Sequence, residues 1–108
     1  MKDNVYELRY LPLFYEDMEE KVKYISHELK NPVAAYELID AVENAILERL
    51  PICESFEPYH SKKEREYPYY RIYVKNFIVF YVVIFEKDKK IMEIRRFLYK
   101  RQDRDSII

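Results

Sequence analysis

The sequence predicts an α+β fold: an N-terminal strand and an αα-hairpin packed on a small, mainly antiparallel sheet, in one domain spanning residues 1–108. Three observations predict it. Apolar side chains alternate near the N-terminus, recur every three or four positions through residue 50, and alternate again from residue 69 onward. Asn31-Pro32 divides the helical stretch in two. Asn76 and the polar run Glu86-Lys87-Asp88-Lys89-Lys90 divide the second half into three strands of an antiparallel meander.

Val5 to Leu11 reads as the first strand. Tyr6, Leu8 and Tyr10 share one side, Glu7 and Arg9 share the other, and Pro12 closes it. Phe14, Met18, Val22, Ile25 and Leu29 then form a helical stripe with carboxylates at its N-terminal end, where free amides favour them. Asn31 caps the second helix and Pro32, at its first position, sacrifices no hydrogen bond. Ala35, Leu38, Ile39, Val42, Ile46 and Leu50 form its stripe before Pro51 ends it. Residues 52–68 lack a stable period and read as a long connection, a natural place for functional side chains. In the strand from Tyr69 to Lys75, Tyr70, Ile72 and Val74 alternate with Tyr69, Arg71 and Tyr73. Asn76 is the expected turn residue. Phe77 to Phe85 is apolar throughout, as a central strand should be, and Ile91 to Tyr99 supplies the last strand. A charged tail follows.

Composition narrows the function. The chain has no glycine, which argues against a P-loop, a Rossmann turn or a glycine-lined oxyanion loop. A single cysteine, Cys53, excludes an internal disulfide and a cysteine metal cluster. Two histidines without nearby carboxylate or cysteine spacing lead us to expect no metal and no cofactor. The longest apolar run, Phe77–Phe85, is too short for a membrane helix, and Met1-Lys2-Asp3-Asn4 opens no signal peptide. A cytoplasmic location without membrane attachment is therefore expected. The net charge of −1 conceals an asymmetry. Residues 1–60 carry 6 Lys/Arg against 13 Asp/Glu, and residues 61–108 carry 13 against 7. Such a distribution suits either an ordinary solvated surface or a basic sheet face and C-terminus that meet a polyanion.

The terminal stretch Ile94-Arg95-Arg96-Phe97-Leu98-Tyr99-Lys100-Arg101-Gln102-Asp103, with Tyr70-Arg71 opening the meander and Phe80-Tyr81-Val82-Val83 within it, resembles the RelE/ParE toxin superfamily of type II toxin–antitoxin systems. The resemblance covers nearly the whole chain. In that family the terminal stretch runs as a hydrophobic pair, Arg, two hydrophobics, His, a variable residue, Arg, Arg and Asp. Arg96 falls on the first arginine, Tyr99 on the histidine, and Arg101 and Asp103 on the closing pair, while Arg95 and Gln102 depart from the pattern. The resemblance implies a toxin held inactive by a cognate antitoxin protein. RelE-like members imply cleavage of mRNA on the ribosome, and ParE-like members imply inhibition of DNA gyrase without nuclease activity. An inactive member kept for binding or repression is a third reading. Ribosome-dependent, metal-free mRNA cleavage is the first expectation, and whether the chain is an enzyme stays open.

Cleavage without a metal needs the 2′-hydroxyl activated and the charge developing on the phosphate held, a task that suits the planar arginine fork. The resemblance places Arg71 at a catalytic arginine and adds Arg96 and Tyr99 as catalytic candidates. An arginine in an apolar strand serves equally as an ion-paired structural residue, and Tyr99 equally as packing. His60 and Glu57 are candidate general bases. Lys62, Lys63, Lys75, Lys100 and Arg101 are candidate RNA contacts, or else simply keep the surface soluble. Plain alternation leaves a difficulty. Arg71 shares a face with Tyr73, but Arg96 falls with Met92, Ile94 and Leu98 on the core side. A β-bulge in the last strand, or projection of Arg96 at the sheet edge, removes it; otherwise Arg96 is structural and Arg95 faces solvent.

Overall fold

The computed structural model of the chain describes residues 6–59 and 66–102. Strand β1 (Tyr6–Tyr10) leads into helix α1 (Pro12–Lys23), which continues as a π-helical turn over Tyr24–Glu28. Helix α2 (Pro32–Arg49) follows, then a 3₁₀ turn over Leu50–Ile52 and strands β2 (Tyr70–Val74), β3 (Phe77–Glu86) and β4 (Lys89–Tyr99). The sheet order is β1-β4-β3-β2. The three meander strands pair antiparallel, and β1 pairs parallel with β4, so the sheet is mixed.

The helices cover one face. Tyr6, Ile72, Val74, Tyr81, Ile94 and Phe97 pack there with Phe14, Leu38, Val42 and Ile46. The other face is buried too, with Ile78, Phe80, Val82 and Leu98 in a second cluster against which Tyr59 and Tyr67 pack. That is why β3 is apolar at every position from Phe77 to Phe85. The alternation expected for β1 and β2 holds: Tyr6, Leu8 and Tyr10 meet the helix-side core, and so do Tyr70, Ile72 and Val74.

Asn31 caps α2 as its position suggests, its side chain accepting from the amide of Ala34 at 3.1 Å. Leu29 departs from the expected stripe and is exposed. The amide of Leu29 reaches back five residues to the carbonyl of Tyr24, and this wider turn rotates Leu29 out of phase with Phe14, Met18 and Ile25. Asn76 stands in the β2–β3 turn as expected, with Lys75 beside it. Lys75 is the left-handed residue of that turn, and Lys30 and Lys87 take the same conformation elsewhere. Without glycine, each of these lysines bears a backbone cost of about 1–2 kcal/mol. Among the described residues no helix is long and apolar enough to cross a membrane.

Candidate functional site

The register of β4 decides where the candidate arginines lie. Phe80 pairs with Arg96 and Tyr81 with Ile94, so Arg95 is an extra residue at a β-bulge. Phe80 also pairs with Arg71 on its other side. Cross-strand partners share a face, so the bulge brings Arg71 and Arg96 to the same side of the sheet, flanking Phe80. At two strand spacings their backbones stand about 10 Å apart.

Arg96 is engaged. Strand β1 ends opposite Ile94, whose carbonyl takes one last bond from the amide of Leu11, and Pro12 then turns the chain into α1. Among the described residues, that edge of β4 has no strand partner beyond this point. Asp17 of α1 fills the gap. Its carboxylate accepts from the amide of Phe97 at 3.0 Å and from Arg96 Nε and Nη2 at 2.7 and 3.0 Å. Asp17 is 7% exposed. Its hydrogen bonds push the Arg96 pKa further up, against the opposing effect of burial.

Tyr99 lies elsewhere. It pairs with Phe77, and the two rings are 5.2 Å apart. Phe77 stacks on Phe97 at 4.9 Å and packs against the helix-side core. Tyr99 therefore belongs to the helix side of the sheet, away from Arg71, and its amide donates to the side chain of Gln102.

Arg71 sits in an aromatic setting. Its guanidinium carbon is 5.0 Å from the ring centre of Tyr59 and 5.8 Å from that of Tyr73. Tyr59 is carried there by the long connection, which forms a lone antiparallel bridge with Tyr69. The carbonyl of Arg71 is held by Arg49, whose Nη1 donates to it and to the Tyr81 hydroxyl, both at 3.0 Å. That hydroxyl donates onward to the carbonyl of Cys53, and burial pushes its pKa up to about 12 although Arg49 opposes the shift. Burial likewise pushes the Cys53 thiol up to about 11, which leaves it protonated and unreactive near neutral pH.

The remaining candidates divide by location. Lys75, Lys100 and Arg101 are all exposed at one end of the sheet, where the amide of Lys100 donates to the carbonyl of Asn76 at 2.8 Å. Glu57 is exposed within the connection. His60, Lys62, Lys63 and Asp103 lie outside the described residues. Arg95, read as solvent-facing if Arg96 were structural, donates to Glu93 at 2.9 Å, and Arg9 donates to the same carboxylate at 3.2 Å.

Three important residues were absent from the sequence-level candidates: Asp17, Arg49 and Tyr59. For Asp17 a signal existed, because it lies three residues after Phe14 and one before Met18, on the apolar side of α1. Arg49 carries the same signal, three residues after Ile46 and one before Leu50; Tyr59, in the connection, carries none.

A separate feature opens between the helices. Tyr10, Phe14, Met18, Val22, Ile39 and Val42 line an apolar groove of about 460 Å³, and Glu19 and Glu43 stand among its lining residues.

The family model described as "ParE toxin of type II toxin-antitoxin system, parDE" matches residues 8–104. No curated protein matches the chain.

Removing the Asp17 carboxylate tests its structural role. Asp17→Ala leaves a guanidinium and a strand amide short of partners and is expected to cost about 3 kcal/mol of unfolding free energy in urea. A loss below about 1 kcal/mol, typical of a surface pair, would contradict it.

Proposed function

The chain belongs to the RelE/ParE toxin family of type II toxin–antitoxin systems, and from that premise we propose that it acts on mRNA at the ribosome, with Arg71 as the residue that takes the phosphate. The observation that carries this reading is the setting of Arg71, on an edge strand with its guanidinium within about 6 Å of two tyrosine rings. In metal-free cleavage the 2′-oxygen gives up its proton and bonds to the adjacent phosphorus as the bond to the 5′-oxygen breaks, and the departing 5′-oxygen takes a proton from water to leave as a hydroxyl. Negative charge builds on the non-bridging oxygens, and a planar, permanently charged fork stabilises it through two hydrogen bonds. Glu57, two residues before Tyr59, is the described candidate for removing the 2′ proton. Arg96 serves the sheet in this reading rather than the phosphate.

A second reading is inhibition of DNA gyrase. The engagement of Arg96 by Asp17 and the placement of Tyr99 on the helix side favour it, because they separate the three residues that cleavage would use together.

The antitoxin that the family implies is proposed to lay an amphipathic helix in the groove between α1 and α2. The groove is mainly apolar, and Glu19 and Glu43 in its lining favour a segment bearing Lys or Arg beside its apolar residues.

Mapping RNA ends in cells that express the chain without its antitoxin tests the main reading. New ends within translated codons are expected, reduced about 100-fold or more by Arg71→Ala. Growth arrest with gyrase-linked DNA breaks and no new RNA ends would replace cleavage with the second reading. For the antitoxin seat, Ile39→Glu places a charge on a partly exposed groove residue, and it should weaken antitoxin binding by at least about 10-fold. Unchanged affinity would move the seat elsewhere.

A further inference from the structure

On the face turned away from the helices, Tyr69 just before β2 is followed by Arg71 and Tyr73 within it, and exposed Lys75 follows at the turn. The two rings beside Arg71 differ in kind. Tyr59 is half-buried, and its ring meets Phe80 edge-on at 5.7 Å. Tyr73 is 55% exposed. Both centres fall within about 6 Å of the guanidinium, the range over which an aromatic face attracts a cation. Tyr59 thus supports Arg71 from the packed side, while Tyr73 extends beyond it into solvent.

An exposed ring beside a held arginine, with a further cation next along the strand, matches the chemistry of unpaired RNA. Each base has a π-face that stacks on an aromatic ring, and each intervening phosphate suits a guanidinium. We propose that Tyr73 is a stacking subsite for an unpaired base of single-stranded RNA, and that Tyr59 is a positioning residue that holds Arg71 for the neighbouring phosphate. Lys75 continues the phosphate path toward the basic end of the sheet. A duplex cannot use this site because its bases are already stacked on one another. The inference rests on the RNA reading above and adds to it the residues that recognise the strand.

The test is binding of a short fluorescein-labelled oligouridylate to the full chain, followed by anisotropy in the absence of ribosomes. Wild-type protein is expected to bind the single strand more tightly than an RNA duplex of equal charge. Tyr73→Ala should weaken single-strand binding about 5- to 150-fold, the range a lost base–aromatic stack gives, while Tyr73→Phe stays within about twofold. Because Tyr73 is exposed, its removal leaves the core intact. Tyr59→Leu should weaken binding and lower the slope of log K against log salt by about 0.7, as Arg71→Ala does, and Tyr59→Phe should restore both. Absence of binding, equal affinity for duplex and single strand, or indifference to Tyr73→Ala overturns the proposal. A salt slope unmoved by Tyr59→Leu overturns the role of Tyr59. RNA-end mapping is independent of this assay. Tyrosine-dependent binding without cellular cleavage refutes the cleavage reading alone, and cleavage without tyrosine-dependent binding refutes the subsite alone.

Discussion

The carboxylate of Asp17 is the contact on which the arrangement of the sheet depends. A parallel strand that stops at Tyr10 leaves the rest of β4 with an edge whose amides need partners. The short link through Leu11 and Pro12 swings α1 across that edge, and Asp17 takes the Phe97 amide and the Arg96 fork together. One buried anion thereby ties helix to strand just beyond the bulge at Arg95. The bulge in turn sets the side of every later residue: Phe97 faces the helices, Leu98 the opposite cluster, and Tyr99 the helices again. A shift of one residue would reverse all three.

The two faces of the sheet consequently have different uses. The helix side is filled by the main core, and its outer surface offers the groove between α1 and α2. The opposite side carries the second cluster and, at its β2 edge, Arg71. That edge is itself secured. The outward carbonyls of Tyr69 and Arg71 are taken by the Tyr59 amide and by Arg49, which leaves β2 a poor template for another strand. The same two contacts hold the backbone beneath Arg71 and bring the Tyr59 ring to its guanidinium. Protection of the edge and preparation of the site come from one set of residues.

Much of this was legible in the residues themselves. The alternation of Tyr6, Leu8 and Tyr10, the two helical stripes, the Asn31-Pro32 boundary and the opposed sets in β2 all follow from binary patterning, because each element buries one face and exposes the other. The mixed outcome for Arg96 follows from the failure of that condition in β4. Both of its faces are buried, so apolar residues fall on either side and alternation carries no register. A bulge there was one of two ways to bring Arg96 to the side of Arg71, and the bulge and the sheet edge both contribute. The π-helical turn at Tyr24–Glu28 has no local marker, so spacing alone puts Leu29 on the stripe. Asn76 marks the β2–β3 turn, but which of its two residues becomes left-handed is set by strand register, and it is Lys75. Arg49 and Tyr59 reach Arg71 from distant parts of the chain, and such contacts are visible only once the fold brings them together.

In the proposed function, nucleic acid meets the side of the sheet bearing Arg71. Crosslinking tests it most directly, with ribosomes programmed by an mRNA that carries 4-thiouridine in the A-site codon and a 2′-deoxy sugar at the cleavage position. Crosslinked peptides from β2, centred on Tyr73, are expected. Crosslinks confined to Tyr99 and the helices, or none at all, would contradict it.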